Sequence, residues 1–191
     1  MREWWQHIPE YLEPIAFTVG FFSIHWYALC WLLGLGLALF VAVRLRHDTW
    51  GDVSSEEIVD LLLILFVSAF VGGRVGYGLL YRPDIFLADP FGFFSPYHLS
   101  TGWTGIAGMS FHGGLVGVIV ALFLFAKNRK FSFFFLADRV AIVAPLGLFF
   151  GRIGNLLAGE LYGRVTTVPW GMYVSGASGE YALRHPSALY E

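Results

Sequence analysis

The chain has 191 residues, 57% of them hydrophobic and 14% charged, against about 45–50% and about 25% in an ordinary soluble domain. That surplus of apolar side chains needs lipid to cover it, which excludes a water-soluble domain. A net charge of −2 gives no polyanion-binding face, so no nucleic-acid partner is expected, and the single cysteine, Cys30, excludes an intrachain disulfide.

The N-terminal stretch MREWWQHIPEYLEP lacks the basic region, short apolar core and small-residue cleavage site of a secretory signal. It reads as an interfacial lead-in to a first span, in keeping with an aromatic content of 18%, since aromatic rings anchor helices at membrane interfaces. From Ile15 to Val43 there is no Asp, Glu, Lys or Arg, which is more than the roughly 20 residues needed to cross the hydrocarbon core. This is the first predicted span, with an irregular start allowed. A polar stretch follows, Arg44–Glu57, and then a second apolar run from about Ile58 to Leu80 interrupted only by Arg74. A third runs from about Phe111 to Ala126, and a fourth from about Leu136 to Leu157, interrupted by Arg139 and Arg152.

Open sheets cannot span lipid because their edge N–H and C=O groups would go unsatisfied, and the alternating ten-residue segments of a barrel are not seen. The expected fold is therefore an all-α polytopic membrane protein with about four transmembrane helices. It reads as one membrane domain over 1–191, in which 158–191 forms an extracytoplasmic segment leading toward a further helix.

Basic residues in short loops set orientation. Arg44 and Arg46 follow the first span, and Lys127, Arg129 and Lys130 follow the third. Those loops are expected to face the cytoplasm, leaving the N-terminus, Tyr81–Ser110 and the tail outside. The glycines cluster within spans, as in Gly72-Gly73, Gly113-x-x-x-Gly117 and Gly151-x-x-Gly154, spacing that lets helix backbones approach closely in lipid. Ser175–Gly179 reads as an exposed loop tip. The final RHPSALYE (184–191) places a Pro near the start of what reads as a new helix, so a truncated chain is expected.

Arginine at the centre of a membrane helix costs about 2.5–3.5 kcal/mol even on insertion scales, which makes an intramembrane Arg a candidate functional residue. Arg74 is such a candidate for substrate binding, but it lies close enough to the outward end for its stem to snorkel to the interface. Arg152 is followed by Asn155 on a neighbouring part of the same helix face, and Glu160 comes just beyond. The three suit an anionic headgroup better than a simple structural ion pair.

His112 sits in GMSFHGG (108–114), at the outward start of the third span. Two readings stand for it. A lone histidine is more often structural, yet an imidazole at a glycine-flanked helix N-terminus is placed to take a proton from a thiol. His25-Trp26-Tyr27 reads by composition as an aromatic-belt anchor. The remaining histidines lack metal-ligand spacing, and no nucleotide loop or serine-hydrolase elbow occurs, so neither metal nor cofactor is expected. A transporter or channel with a Gly-rich, Arg-lined path is the alternative. It predicts polar residues along the whole of each pore helix, whereas these gather toward the outward half.

Taken together, HWY (25–27), GGRVGY (72–77), GMSFHGG (108–114), GRIGNLLAGELYGR (151–164) and RHPSALYE (184–191) resemble the motifs of the prolipoprotein diacylglyceryl transferases, in order and spacing along nearly the whole chain. Two positions depart from that family's usual pattern: Ala158 stands in place of Asn and Ala188 in place of Gln. The resemblance implies transfer of the diacylglyceryl group of phosphatidylglycerol to the lipobox cysteine of a prolipoprotein, with glycerol 1-phosphate released, in the bacterial inner membrane with the site toward the outer side. It implies that Arg152 binds the lipid phosphate and that His112, Tyr27, Asn155 and Glu160 belong to the catalytic site, which Gly163 also lines. The family has further membrane helices after the RHPS motif, carrying another functional arginine.

Overall fold

A computed structural model describes residues 3–20, 22–95, 97–98, 102–103, 108–175 and 179–190. Among these, four helices are long and apolar enough to cross a membrane: Trp26–Arg44, Ser55–Tyr81, Phe111–Arg129 and Phe133–Leu157. Only 11% to 33% of the most apolar window in each is buried within the protein. Leu33, Phe40, Phe123 and Phe149 are each more than half exposed, a pattern that water would penalise and lipid tails do not. This is a polytopic membrane protein.

In chain order, α1 (Ile8–Tyr11) precedes a hairpin of β1 (Ile15–Val19) and β2 (Phe22–His25), then α2 (Trp26–Arg44). Next come α3 (Ser55–Tyr81), the short α4 (Pro83–Ala88) and α5 (Pro90–Phe93), and the paired β3 (Tyr97–His98) and β4 (Gly102–Trp103). The long helices α6 (Phe111–Arg129) and α7 (Phe133–Leu157) follow, and β5 (Met172–Ser175) and β6 (Tyr181–Arg184) end the fold before a 3-10 turn at Ser187–Leu189.

The hairpin departs from the sequence expectation. The charge-free run starts at Ile15, but helix begins only at Trp26. Phe17-Thr18-Val19 pairs with Phe22-Ser23-Ile24 in antiparallel register. These aromatic, β-branched and hydroxyl-bearing residues favour strand over helix. Gly20, at φ +62, supplies the left-handed backbone that the reversal needs. The amide of Trp26 then donates to Pro14 O at 3.0 Å, which ties the start of α2 to the foot of the hairpin. The loop tip expected at Ser175–Gly179 falls for the most part outside the described residues.

The chain packs as two compact units, one of residues 1–38 and 144–191, the other of residues 39–143. In the second unit α3 begins with a capping box: Ser54 Oγ accepts from the amide of Glu57, whose carboxylate accepts from the Ser54 amide. Helix α6 is capped by Ser110, whose Oγ accepts from the Gly113 amide at 3.3 Å. The two helices then meet backbone to backbone. A Cβ added at Gly113 would lie 2.4 Å from Gly72 O, and one at Gly117 would lie 2.3 Å from Ser68 O. Only a residue without a side chain fits either place, which is how small residues let helices associate in lipid. Around the start of α3, Trp50, Val53, Ile58 and Leu136 are almost wholly buried. There Arg139 Nε donates to Thr49 O at 2.8 Å, and Arg129 faces Asp60 at 3.1 Å.

In the first unit α2 and α7 approach through the same device. A Cβ on Gly34 would come within 3.0 Å of Gly147 Cα, and one on Gly151 within 2.8 Å of the Trp31 ring. The N-terminal turn lies against β5 and β6: Gln6 Nε2 donates to Pro169 O at 2.8 Å, His7 stacks on Tyr173 with centroids 4.9 Å apart, and the Tyr181 hydroxyl donates to the Glu10 carboxylate.

Candidate functional site

The segment GRIGNLLAGELYGR builds its local geometry from the way α7 ends. Helix termini leave carbonyls without partners, and here the chain satisfies them by turning left-handed at Gly159, φ +72. The Gly159 amide donates to Leu156 O at 3.2 Å and the Glu160 amide to Asn155 O at 2.9 Å, the paired bonds of a Schellman motif. That motif sets the residue after the glycine beside the residue three before the helix cap, a place where many helices put an apolar contact. In this chain the two positions are Glu160 and Asn155. One glycine therefore joins the backbones of an acidic and an amide residue. Asn155 is buried, Glu160 exposed, and Arg152, one turn earlier on α7, half-buried.

Tyr27 occupies the second position of α2. It lies against this end of α7, for a Cβ on Gly154 would meet Tyr27 Cα at 3.2 Å and Cys30 Cβ at the same distance. Its ring meets Trp31 edge-on with centroids 6.3 Å apart. Tyr27, Arg152, Asn155 and Glu160 thus all belong to the first unit. Tyr162, beyond the helix, points its hydroxyl at Leu156 O, 3.5 Å away. Burial pushes its phenol above the ordinary value, so it remains a neutral hydrogen-bond donor at physiological pH.

Gly163 belongs to a different local arrangement. Its amide donates to His185 O at 2.8 Å, the His185 amide to Arg164 O at 3.1 Å, and the Thr166 amide to Leu183 O at 2.8 Å. GELYGR and RHPS, two separate motifs in the sequence, are thus stitched together strand to strand. A Cβ at Gly163 would stand 3.1 Å from His185 Cβ, a tight fit that favours glycine at this close approach. Between the Schellman turn and the stitched strand stands Leu161 at φ +59. For a residue with a Cβ this conformation costs about 1–2 kcal/mol. Ser187 Oγ donates to the Leu161 carbonyl. Neither Leu161 nor Ser187 carried a chemical signal in the sequence. Ala188, next in the chain, is buried.

The other two candidates lie in the second unit. His112 is the second residue of α6 and is exposed, its ring edge-on to Phe111 at 5.9 Å. The turn before it is fixed by the Ser110 amide, which donates to Gly73 O at 2.9 Å.

Arg74 is only 7% exposed, so its head does not reach water in the way snorkelling requires. Nε and Nη2 donate to Phe93 O at 3.1 and 2.5 Å, and Nη1 to Gly108 O at 3.1 Å. The guanidinium stacks over the Phe93 ring, 3.9 Å from its centroid. It binds the chain on either side of β3 and β4 to α3. It also borders a cleft of about 390 Å³ shared with Tyr77, Arg82, Asp89 and Phe93. Phe93 and Gly108 as its partners were not foreseen, because backbone carbonyls leave no mark in a sequence. Among the described residues, no group of three or more His, Cys, Asp or Glu is placed to hold a metal ion.

The profile of the family described as prolipoprotein diacylglyceryl transferase matches residues 14–191. A protein of Aeromonas salmonicida named phosphatidylglycerol--prolipoprotein diacylglyceryl transferase is 47% identical over 180 residues, covering 94% of this chain and 62% of its own length. Proteins of the same name from Vibrio vulnificus and Bordetella parapertussis are 44% and 45% identical, each over 94% of this chain and over 63% and 66% of their own lengths. The chain thus spans less than two thirds of the length of these relatives. With a match this long, and with the motif residues set out as described, the chain belongs to the prolipoprotein diacylglyceryl transferase family.

Proposed function

We propose that the protein transfers the diacylglyceryl group of phosphatidylglycerol to the lipobox cysteine of a prolipoprotein, working in a bacterial inner membrane with its site toward the outer side. The observation that carries this reading is the 47% identity over 94% of the chain to a relative named for that reaction. None of the relatives described above is a transporter.

The chemistry is a displacement at carbon. The cysteine thiolate attacks the glyceryl CH₂, a C–S bond forms, and the C–O bond to phosphate breaks, releasing glycerol 1-phosphate. Three demands follow. The thiol, with an ordinary pKa of about 8.5, has to lose its proton, and His112 is the group assigned as base. The departing phosphate has to be stabilised as charge develops. Arg152 is assigned that role, because a guanidinium offers paired charge-assisted hydrogen bonds. Asn155 and Glu160, whose backbones are bonded across the turn at Gly159, suit the polar glycerol head, and Tyr27 closes the same end of α7.

Arg74 and Arg82 on the wall of the 390 Å³ cleft are a second place where a lipid phosphate fits, while Gly163, which admits His185 at close range, shapes the segment that follows α7. The bilayer supplies the lipid substrate, and no cofactor enters the scheme.

The test uses the full-length parent protein in detergent or nanodiscs with phosphatidylglycerol and a lipobox peptide, read by mass spectrometry. Diacylglyceryl-cysteine and glycerol 1-phosphate in equal amounts are expected. Unmodified peptide, under conditions where a known relative acts, overturns the proposal.

A further inference from the structure

We infer that Ser187 is a positioning residue for Glu160: its hydroxyl, bonded to the Leu161 carbonyl, holds Leu161 in the left-handed conformation that fixes the direction of the carboxylate beside it. The inference rests on the proposed transfer reaction only in taking Glu160 to act in it.

Glu160 is exposed, and an exposed side chain on a loop has no fixed direction unless its backbone has one. Here the backbone is fixed on both sides by different means. On the N-terminal side, the amide of Glu160 is bonded to Asn155 O and Gly159 takes the left-handed turn without strain, having no Cβ. On the C-terminal side, Gly163 is bonded to His185. The link between them, Leu161, carries a branched side chain at φ +59, and the residue is 58% exposed. Its own packing does not hold the strained backbone. Its carbonyl accepts from the Ser187 hydroxyl, and Ser187 is itself anchored in the 3-10 turn by its amide, which donates a hydrogen bond to His185 O at 2.9 Å.

Without the hydroxyl, Leu161 relaxes toward the ordinary right-handed or extended regions. The peptide joining it to Glu160 then turns, and the carboxylate loses its fixed direction. The serine of the RHPS motif thus acts on the GELYGR motif across 26 residues of sequence.

Full-length protein with Ser187→Ala, Ser187→Thr, Leu161→Gly and the double change Ser187→Ala with Leu161→Gly is assayed with phosphatidylglycerol and lipobox peptide. Hydrogen–deuterium exchange over residues 158–163 is measured on the same samples. Ser187→Ala is expected to lower kcat by about 10–10²-fold, the scale of a small misplacement of a reacting group, with KM for the peptide within about twofold, and to speed exchange in that segment. Ser187→Thr keeps the hydroxyl and retains most of both properties. The double change is expected to recover most of the lost kcat, since glycine enters the left-handed region freely.

Exchange unchanged by Ser187→Ala overturns the tether. Faster exchange with unaltered kcat overturns the positioning role, and a slow Ser187→Ala enzyme not improved by Leu161→Gly shows that the loss comes from elsewhere and overturns it too. If the alanine variant does not fold, Ser187→Cys, similar in size and a weaker donor, carries the same comparison. A wild-type protein without turnover defeats the proposed reaction, while the exchange measurement still decides the tether.

Discussion

Arg152 sits half-buried one turn from Asn155 near the end of α7, and its assigned work is to meet phosphate oxygens in pairs. An ammonium replaces the charge but not the planar two-point contact. Arg152→Lys in the full-length protein should therefore keep part of the lipid affinity and lose most of the turnover, by about 10²-fold, the scale seen when one donor to a developing oxyanion is removed. Arg152→Gln should lose both. If the arginine only braced the fold through Glu160, the double change Arg152→Gln with Glu160→Gln would restore thermal stability and much of the activity, because no charge would be left without its partner. Transferase rate and melting temperature, measured side by side, separate the two. At this scale the sequence showed which side chains to watch but not what sets them. Asn155 and Glu160 stood out as polar residues near the end of an apolar run, whereas their pairing comes from two backbone hydrogen bonds around Gly159. Arg74 stood out by its cost in lipid, while its partners are the carbonyls of Phe93 and Gly108.

The contact of α3 with α6 depends on the absence of side chains at its centre. A methyl added at Gly113 would press to 2.4 Å on the Gly72 carbonyl, which is backbone and cannot swing aside. Gly36 in α2 is exposed, with nothing within 4 Å of an added Cβ. Gly113→Ala should thus lower the melting temperature in detergent markedly, by an overpacking cost of about 1–3 kcal/mol, while Gly36→Ala should be neutral or slightly stabilising. Equal melting of both variants would show that the helices have room to separate. The glycine spacing did announce close packing, and apolar length announced the four helices, because both patterns repeat over many residues. The hairpin at Ile15–His25 escaped because it is as free of charge as the helix it leads into. The pairs β3–β4 and β5–β6 escaped because strands of two to four residues are too short for alternation to register. The stitching of GELYGR to RHPS lies between positions about 20 residues apart, and local pattern carries no record of it.

The orientation of the chain in its membrane is a property of the whole molecule, set by where its basic residues gather. Arg44 closes α2 and Arg46 follows it, and Lys127, Arg129 and Lys130 close α6 or follow it, with Arg129 facing Glu57 at 3.7 Å and Asp60 at 3.1 Å. Positive charge beside a span is retained on the cytoplasmic side. By the same rule the chain after α7, with Glu160, Gly163 and the Ser187 turn, is expected on the outer side, the side on which the proposed reaction needs the cysteine of an exported prolipoprotein. Asn128 and Thr167 are both exposed and lie on opposite sides by this argument. Cys30 is buried and can be replaced by alanine, leaving a background without thiols. In that background, cells carrying Thr167→Cys should react with a membrane-impermeant maleimide applied from outside, whereas Asn128→Cys should react only after the membrane is permeabilised. The reverse pattern would overturn the orientation and, with it, the outer-side placement of the reaction. Labelling of both from outside would break the alternation of the spans and show that one of the four helices does not cross.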